Sequence, residues 1–228
     1  MTHVFVPDLD ALELDEVDAH HLARSLRLRP GEAVTASDGA GAWRLCRFAG
    51  SALEPDGPVQ QEARPQPEVT VGFALAKGDR PEWIVQKLTE VGGDHIRPMI
   101  TARTVVRWDE ERATRNLARL TRVAREAAMQ SRRVWLPVVA PPAPFGEVAQ
   151  AAALVSPVAL AQFGGRPPNL DYPCVLIGPE GGWSQEELES GLPPVALGTT
   201  VLRVETAAMV AGALLCGLRA GIVSSSDR

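Results

Sequence analysis

The sequence predicts an α/β protein with a mostly parallel sheet, preceded by a small β-rich domain. From Glu68 onward, short apolar runs alternate with amphipathic stretches, the signature of strands joined by crossover helices. Upstream, turn chemistry dominates, and the proline-bearing segment Ala63-Arg64-Pro65-Gln66-Pro67 reads as a stiff linker. Near the C-terminus two apolar runs end in glycine-bearing turns that each lead into a helix. Open α/β sheets place ligands at such strand ends.

In chain order, a short helix is expected near Val17 to Leu28, carrying Leu22, Leu26 and Leu28 and stopped by Pro30-Gly31. Strands follow at Ala33–Ala36 and Ala42–Phe48, joined by Asp38-Gly39-Ala40-Gly41, which has hairpin chemistry. The boundary divides residues 1–67 from 68–228. Val69–Ala76 reads as a strand. Asp79-Arg80-Pro81-Glu82 opens a helix, with proline early, that runs to Val91 before Gly92-Gly93. His95–Ile100 is a second strand. A long helix is expected from Asp109 to Gln130. Arg112, Arg115, Arg119 and Arg122 share one of its faces, and Leu117, Leu120, Ala124 and Ala127 another. Leu154–Leu160, Pro173–Ile177 and Val195–Leu197 read as further strands. Thr206 to Ala220 is a final helix with Gly221 placed to stop it, and Ser224 to Arg228 reads as a frayed tail.

Composition bounds the function. The chain has 228 residues, 45% of them apolar, and a formal charge of −5. Between Arg97 and Arg133, however, ten arginines face four acids, a local balance of +6. A basic block inside an acidic chain attracts polyanions whatever the global charge, although a solvated helix face is the bland alternative. Cys46, Cys174 and Cys216 are widely spaced without CxxC, which fits buried thiols better than disulfides or metal ligands. His3, His20, His21 and His95 form no ligand cluster, so no metal is expected. Met1 to Asp10 has no basic start, and Ala207 to Leu218 falls short of the ~20 apolar residues of a membrane span. These features predict a soluble, cytoplasmic protein.

The chemistry is concentrated in the two late turns. Ile177-Gly178-Pro179-Glu180-Gly181-Gly182-Trp183-Ser184 lacks GK[ST] and is not GxGxxG, so it is neither a P-loop nor a dinucleotide fingerprint. Its glycines would let main chain approach a flat, phosphate-free ring. Ser184 and Glu187 also fit a helix cap, which does not account for the glycines. The second turn, Leu197-Gly198-Thr199-Thr200-Val201-Leu202-Arg203-Val204-Glu205-Thr206-Ala207, brackets a valine with Arg203 and Glu205. A structural ion pair there, and Thr206 as N-cap, are the bland readings.

GPEGG after an apolar strand, then LGxxVLRxETA, resembles the knotted SPOUT-class RNA methyltransferases. Trp83 to Gly92, Ile96-Arg97-Pro98, Arg103-Thr104 and Glu126-Ala127 with Gln130-Ser131 narrow the resemblance to the RsmE-type 16S ribosomal RNA uridine-N3 methyltransferases. In the first domain His21, Arg24, Leu26, Arg27 and Gly31 look like the family's arginine-bearing helix and turn. Ala102 and Met129 stand where the family usually carries glutamate, and Gly93 where a branched residue is usual. The resemblance implies a deep trefoil knot, a PUA-like N-terminal barrel, a homodimer and S-adenosyl-L-methionine as methyl donor to the small ribosomal subunit's RNA. It implies a cofactor site of Gly178, Pro179, Glu180, Gly181, Gly182, Leu197, Gly198, Val201, Leu202, Arg203, Thr206 and Ala207, with strand end Ser156–Ala159 beside it. Within that reading Arg203, Glu205 and Glu180 are the catalytic candidates, and Arg24, Arg27, Lys77, Arg103, Gln130 and Arg132 the RNA-binding ones. A knotted methyltransferase for a ribose 2′-hydroxyl or for transfer RNA, and a non-catalytic RNA-binding module, remain as alternatives.

Overall fold

The computed structural model describes residues 1–224; the remainder of the expected tail, residues 225–228, lies outside the described residues. The chain divides into two compact units, one of Met1–Arg64 with Arg125–Leu136, the other of Pro65–Ala124 with Pro137–Arg228. The division falls inside a helix whose sequence periodicity is unbroken.

In the first unit, β1 (Thr2–Phe5) pairs parallel to β2 (Ala33–Ser37), and β3 (Ala42–Phe48) pairs antiparallel to β2, β4 (Leu53–Pro55) and β5 (Gln60–Gln61). The helix expected near Val17–Leu28 is split into α1 (Glu16–His20) and a π-helical turn at His21–Ser25. Asp15 caps α1, its carboxylate accepting from Asp18 N at 2.6 Å. Leu22 is buried in the core with Val4, Val34, Cys46 and Phe48. Leu26 is exposed, because Arg27 takes a left-handed φ of 53° and turns the chain out of the helix. The returning segment joins this sheet through Ser37 Oγ, which donates to Val134 O, and Trp135 Nε1, which donates to Glu62 O. Met129 packs on the same core, so the residue that departs from the family pattern fills apolar space here. Burial lowers His3 to about 4, and its neutral ring hydrogen-bonds Thr35 Oγ1 through Nδ1 at 2.8 Å.

The second unit holds a seven-stranded sheet in the order β12-β10-β11-β6-β7-β8, with β9 also on β7. The strands are β6 (Thr70–Ala74), β7 (His95–Ile100), β8 (Val138–Val139), β9 (Ala143–Pro144), β10 (Val158–Arg166), β11 (Cys174–Ile177) and β12 (Pro194–Val195). Every pair is parallel, so the expected sheet type holds. Its helices are α2 (Arg80–Glu90), α3 (Glu110–Ser131, up to residue 124), α4 (Phe145–Ala153), α5 (Gln185–Leu188) and α6 (Val204–Arg219). Leu120 and Ala124 of α3 bury into the core with Phe73, Ile84, Leu88 and Leu215, as their spacing predicts. At Gly212 of α6 a Cβ would lie 2.5 Å from Leu88 Cδ2, so only glycine allows this approach to α2. Asp94, fully buried, accepts from Val69 N at 2.8 Å and pairs with Arg219, which also donates to Pro67 O and Gly92 O. That network anchors the end of α6 to the start of the sheet.

Two expectations need correction. The strand placed at Leu154–Leu160 starts only at Val158: the alanine-rich run before it forms α4, Leu154 ends that helix 85% exposed, and Pro157 forces the change to extended backbone. Thr206 is not an N-cap, because α6 begins at Val204 with Arg203 in the cap position, φ −69° and ψ 158°. Cys46, Cys174 and Cys216 are buried and form no disulfide among the described residues. Among the described residues no helix is long and apolar enough to cross a membrane.

Candidate functional site

Parallel neighbours in a sheet release their chains at the same edge. Apolar β10, β11 and β12 therefore deliver three loops to one place. A cavity of about 300 Å³ lies there, between Ala161–Phe163 of β10, the turn after β11 and the turn after β12. Gly178, Pro179, Glu180, Gly182, Leu197, Gly198, Val201, Leu202 and Ala207 line it. Gly181, Arg203 and Thr206 are not in its wall, and neither are Ser156–Ala159; β10 runs on past them and contributes Ala161, Gln162 and Phe163 instead. Ile177, Trp183, Leu188 and Thr200 complete the wall. Val201 is 91% exposed and Phe163 69% exposed, so the rim presents apolar surface that water covers poorly.

The first turn owes its shape to its own chain. Ser184 caps α5, with its hydroxyl accepting from Glu187 N (3.2 Å) and Glu187 Oε2 accepting from Ser184 N (2.8 Å). Glu187 is buried, and its Oε1 accepts from Ala102 N at 2.8 Å. The same loop sends Arg103 Nη1 to Gly181 O at 2.8 Å. Trp183 is held by Ala161 O, 3.0 Å from its Nε1, and by the Phe145 ring at 5.4 Å. A Cβ on Gly178 would come within 2.8 Å of that indole. Gly178 is thus required by Trp183, which differs from the ligand approach its sequence suggests. Gly182 takes φ +71° and Gly198 has open space where a Cβ would be.

Charge at the site is organised by a residue the sequence reading did not select. Arg80, the first residue of α2, donates through Nη1 to Glu180 Oε1 at 2.7 Å and lies 3.6 Å through Nε from Glu205 Oε1. One guanidinium therefore bridges the carboxylates that follow β11 and open α6. Glu205 Oε2 is buried without a hydrogen-bond partner. Arg203 is exposed, and its side chain makes no hydrogen bond or ion pair among the described residues. Proline at the second helical position marks a helix start, but nothing local reveals that Arg80 reaches 100 and 125 residues along the chain. Burial pushes the Cys174 thiol up to about 12 despite the charge of Arg97, so this thiol is no nucleophile.

The RNA-binding candidates lie in both units. Arg24, Arg27, Gln130 and Arg132 are exposed in the first, with Arg132 at a left-handed φ of 58°. Arg103 and Lys77 are exposed in the second, on the loops after β7 and β6.

Known proteins share this arrangement. The RNA methyltransferase domain family matches residues 63–216, and the RNA methyltransferase PUA domain matches residues 14–51. The chain is 36% identical to the ribosomal RNA small subunit methyltransferase E of Synechocystis, across 87% of this chain and 70% of that protein. It is 34% identical to the like-named protein of Mycobacterium bovis, across 90% of this chain and 86% of that one. The crystal structure of the Neisseria gonorrhoeae ribosomal RNA small subunit methyltransferase E bound to S-adenosyl methionine is similar at a TM-score of 0.79 and 28% identity, covering 96% of this chain and 98% of that one.

Proposed function

The chain belongs to the RNA methyltransferase family, and from that premise we propose that it is an S-adenosylmethionine-dependent enzyme that methylates N3 of a uridine in the 16S RNA of the small ribosomal subunit. One observation carries the reading: the cavity between the strand-end loops, with glycine backbone on two sides and an apolar rim. Its volume of about 300 Å³ is at the lower end for ligand pockets, which suits a nucleoside with a short side chain.

The residues present fit the cofactor. Gly198 leaves room for a flat ring against main chain, and Leu197, Leu202 and Val201 offer apolar contact. Among the described residues no lysine or arginine lines the cavity, in keeping with a ligand that has no phosphate. Bound there, the cofactor supplies an electrophilic methyl group.

The rest falls to the protein. N3 of uracil is a poor nucleophile until its proton leaves, so a base and a stabiliser for the resulting charge are needed. Glu205 is the assigned acceptor, because its Oε2 has no partner among the described residues while Glu180, which lines the cavity, is engaged by Arg80. Arg203, unpaired at the start of α6, is assigned to the charge on the uracil oxygens. Arg80 positions both carboxylates. N3 lies on the pairing edge, so the base must be turned out of any stack. Arg24, Arg27, Lys77, Arg103, Gln130 and Arg132 are assigned to gripping the RNA around it. On this reading residues 1–67 bind RNA and 68–228 transfer the methyl group; a knot at the cofactor loops, a homodimer and a cytoplasmic location follow from the family resemblance.

The test is to incubate the protein with labelled S-adenosylmethionine and small ribosomal subunits lacking the modification, then digest the RNA for mass spectrometry. One 3-methyluridine per subunit is expected. A 2′-O-methyl nucleoside, or label found only in transfer RNA, would overturn the assignment.

A further inference from the structure

A second cavity opens in the methyltransferase unit, and its chemistry is opposite to that of the first. The chain leaving β6 passes through Ala76-Lys77-Gly78, α2 contributes Glu82, and the first turns of α3 face them. Between them lies a cavity of about 270 Å³. Lys77, Arg107, Arg112 and Arg119 stand around it with Asn116. Among the described residues Glu82 is the one acid in its wall, and Arg119 Nε lies 3.0 Å from its Oε1.

The helix period produces this wall. Arg112, Asn116 and Arg119 are four and three residues apart, so they form one stripe along α3. Arg115 is near that stripe by spacing but does not line the cavity; it pairs with Glu111 at 2.5 Å. The broad basic face read from the sequence is therefore two things: a cavity wall and a locally neutralised surface. Four cations around one concavity with a single carboxylate repel one another unless an anion joins them. Arginine forks and an amide match phosphate oxygens.

Topology links this cavity to the first. β6 and β11 are parallel neighbours, with Phe73 beside Ile177, so Ala76 and Gly178 leave the sheet at the same edge. Lys77 rims the basic cavity; three residues later Arg80 holds Glu180 in the wall of the cofactor cavity.

We propose that the Lys77–Arg107–Arg112–Arg119 cavity seats a backbone phosphate of the RNA strand next to the nucleotide whose base is methylated. The inference rests on the RNA-methylating reading above and adds to it the contact that fixes the strand's register. The full-length protein carrying Arg107→Gln and Arg112→Gln, which leaves the Arg119–Glu82 pair in place, tests it against small-subunit RNA. The slope of log affinity against log salt should fall by about 0.7, the value for one phosphate contact on a single strand. KM for RNA should rise about tenfold or more, while S-adenosylhomocysteine binds as to the wild type by calorimetry. Arg115→Gln on the same helix should leave slope and KM at wild-type values. If Arg115→Gln costs as much as the double change, the effect is a diffuse field and the seat is refuted. If the wild type methylates RNA and the double variant keeps both slope and KM, the seat alone is refuted. A wild type that transfers no methyl group to RNA overturns both readings.

Discussion

The two turns that face each other across the strand-end cavity are built on different terms. The turn after β11 is pinned throughout: Gly182 N donates to Pro179 O at 2.8 Å, Arg103 grips Gly181 O, Arg80 grips Glu180, Trp183 is wedged against Gly178, and a capping box closes the end. The turn after β12 is fastened only at its ends, by Ala196 N to Arg166 O and Ala207 N to Arg203 O, both 2.8 Å. Between them no hydrogen bond ties residues 197–202 to the rest of the described chain, and Val201 faces solvent. Folding therefore orders one wall completely. The other wall keeps unpaired main chain and apolar surface for whatever enters. Preorganising one side lowers the entropy lost on binding, and the open side leaves the ligand a way in.

The contrast predicts opposite outcomes for two glycines. Gly198→Leu puts a branched side chain into the cavity where nothing lies within 4 Å of an added Cβ. Affinity for S-adenosylhomocysteine should fall at least a hundredfold, or about 2.7 kcal/mol, by calorimetry. The thermal midpoint should stay within about 1 °C, since no packed neighbour is displaced. Unchanged affinity would remove the second turn from the binding wall. Gly178→Ala should do the reverse in kind. Its Cβ would meet Trp183 Cε2 at 2.8 Å, and the indole is held by Ala161 O. Overpacking of this sort costs about 1–3 kcal/mol, a fall of about 2–10 °C in melting temperature for a chain of this size. A variant that melts with the wild type would show that the first turn is not pinned by its tryptophan.

What the sequence disclosed follows the same division. Both turns are visible because a short apolar run, a glycine-bearing break and a helix start are local signals. The capping box of Ser184 and Glu187 is visible for the same reason. The partners that make the first turn rigid are not: Arg80, Arg103 and the amide of Ala102 come from loops 78 to 100 residues upstream, and no local pattern encodes that meeting. The interior of α3 was plain in its periodicity, yet its division between two units was hidden, because a continuous helix gives no sign of a change in what it packs against. β8 and β9, two residues each, are too short to carry an alternation. The strand expected at Leu154–Leu160 began too early because a short apolar stretch suits a buried strand or a helix end equally.

The smallest expected effect is at the residue that joins the two walls. Arg80 reaches Glu180 of the pinned turn at 2.7 Å and stands 3.6 Å from Glu205, beyond the open one. Ion pairs this exposed contribute about 0–1 kcal/mol, so Arg80→Gln should leave the melting temperature almost unmoved. Its consequence belongs in the coupling. Double-mutant cycles of Arg80→Gln with Glu180→Gln and with Glu205→Gln, read as S-adenosylhomocysteine affinity, separate the two contacts. The cycle with Glu180 should give a coupling of about 0.5–1 kcal/mol, and that with Glu205 less, because the longer distance forms no hydrogen bond. A larger coupling to Glu205 would reverse the comparison: the open turn would then draw its order from Arg80 once the ligand is bound, and the pinned turn would not need it.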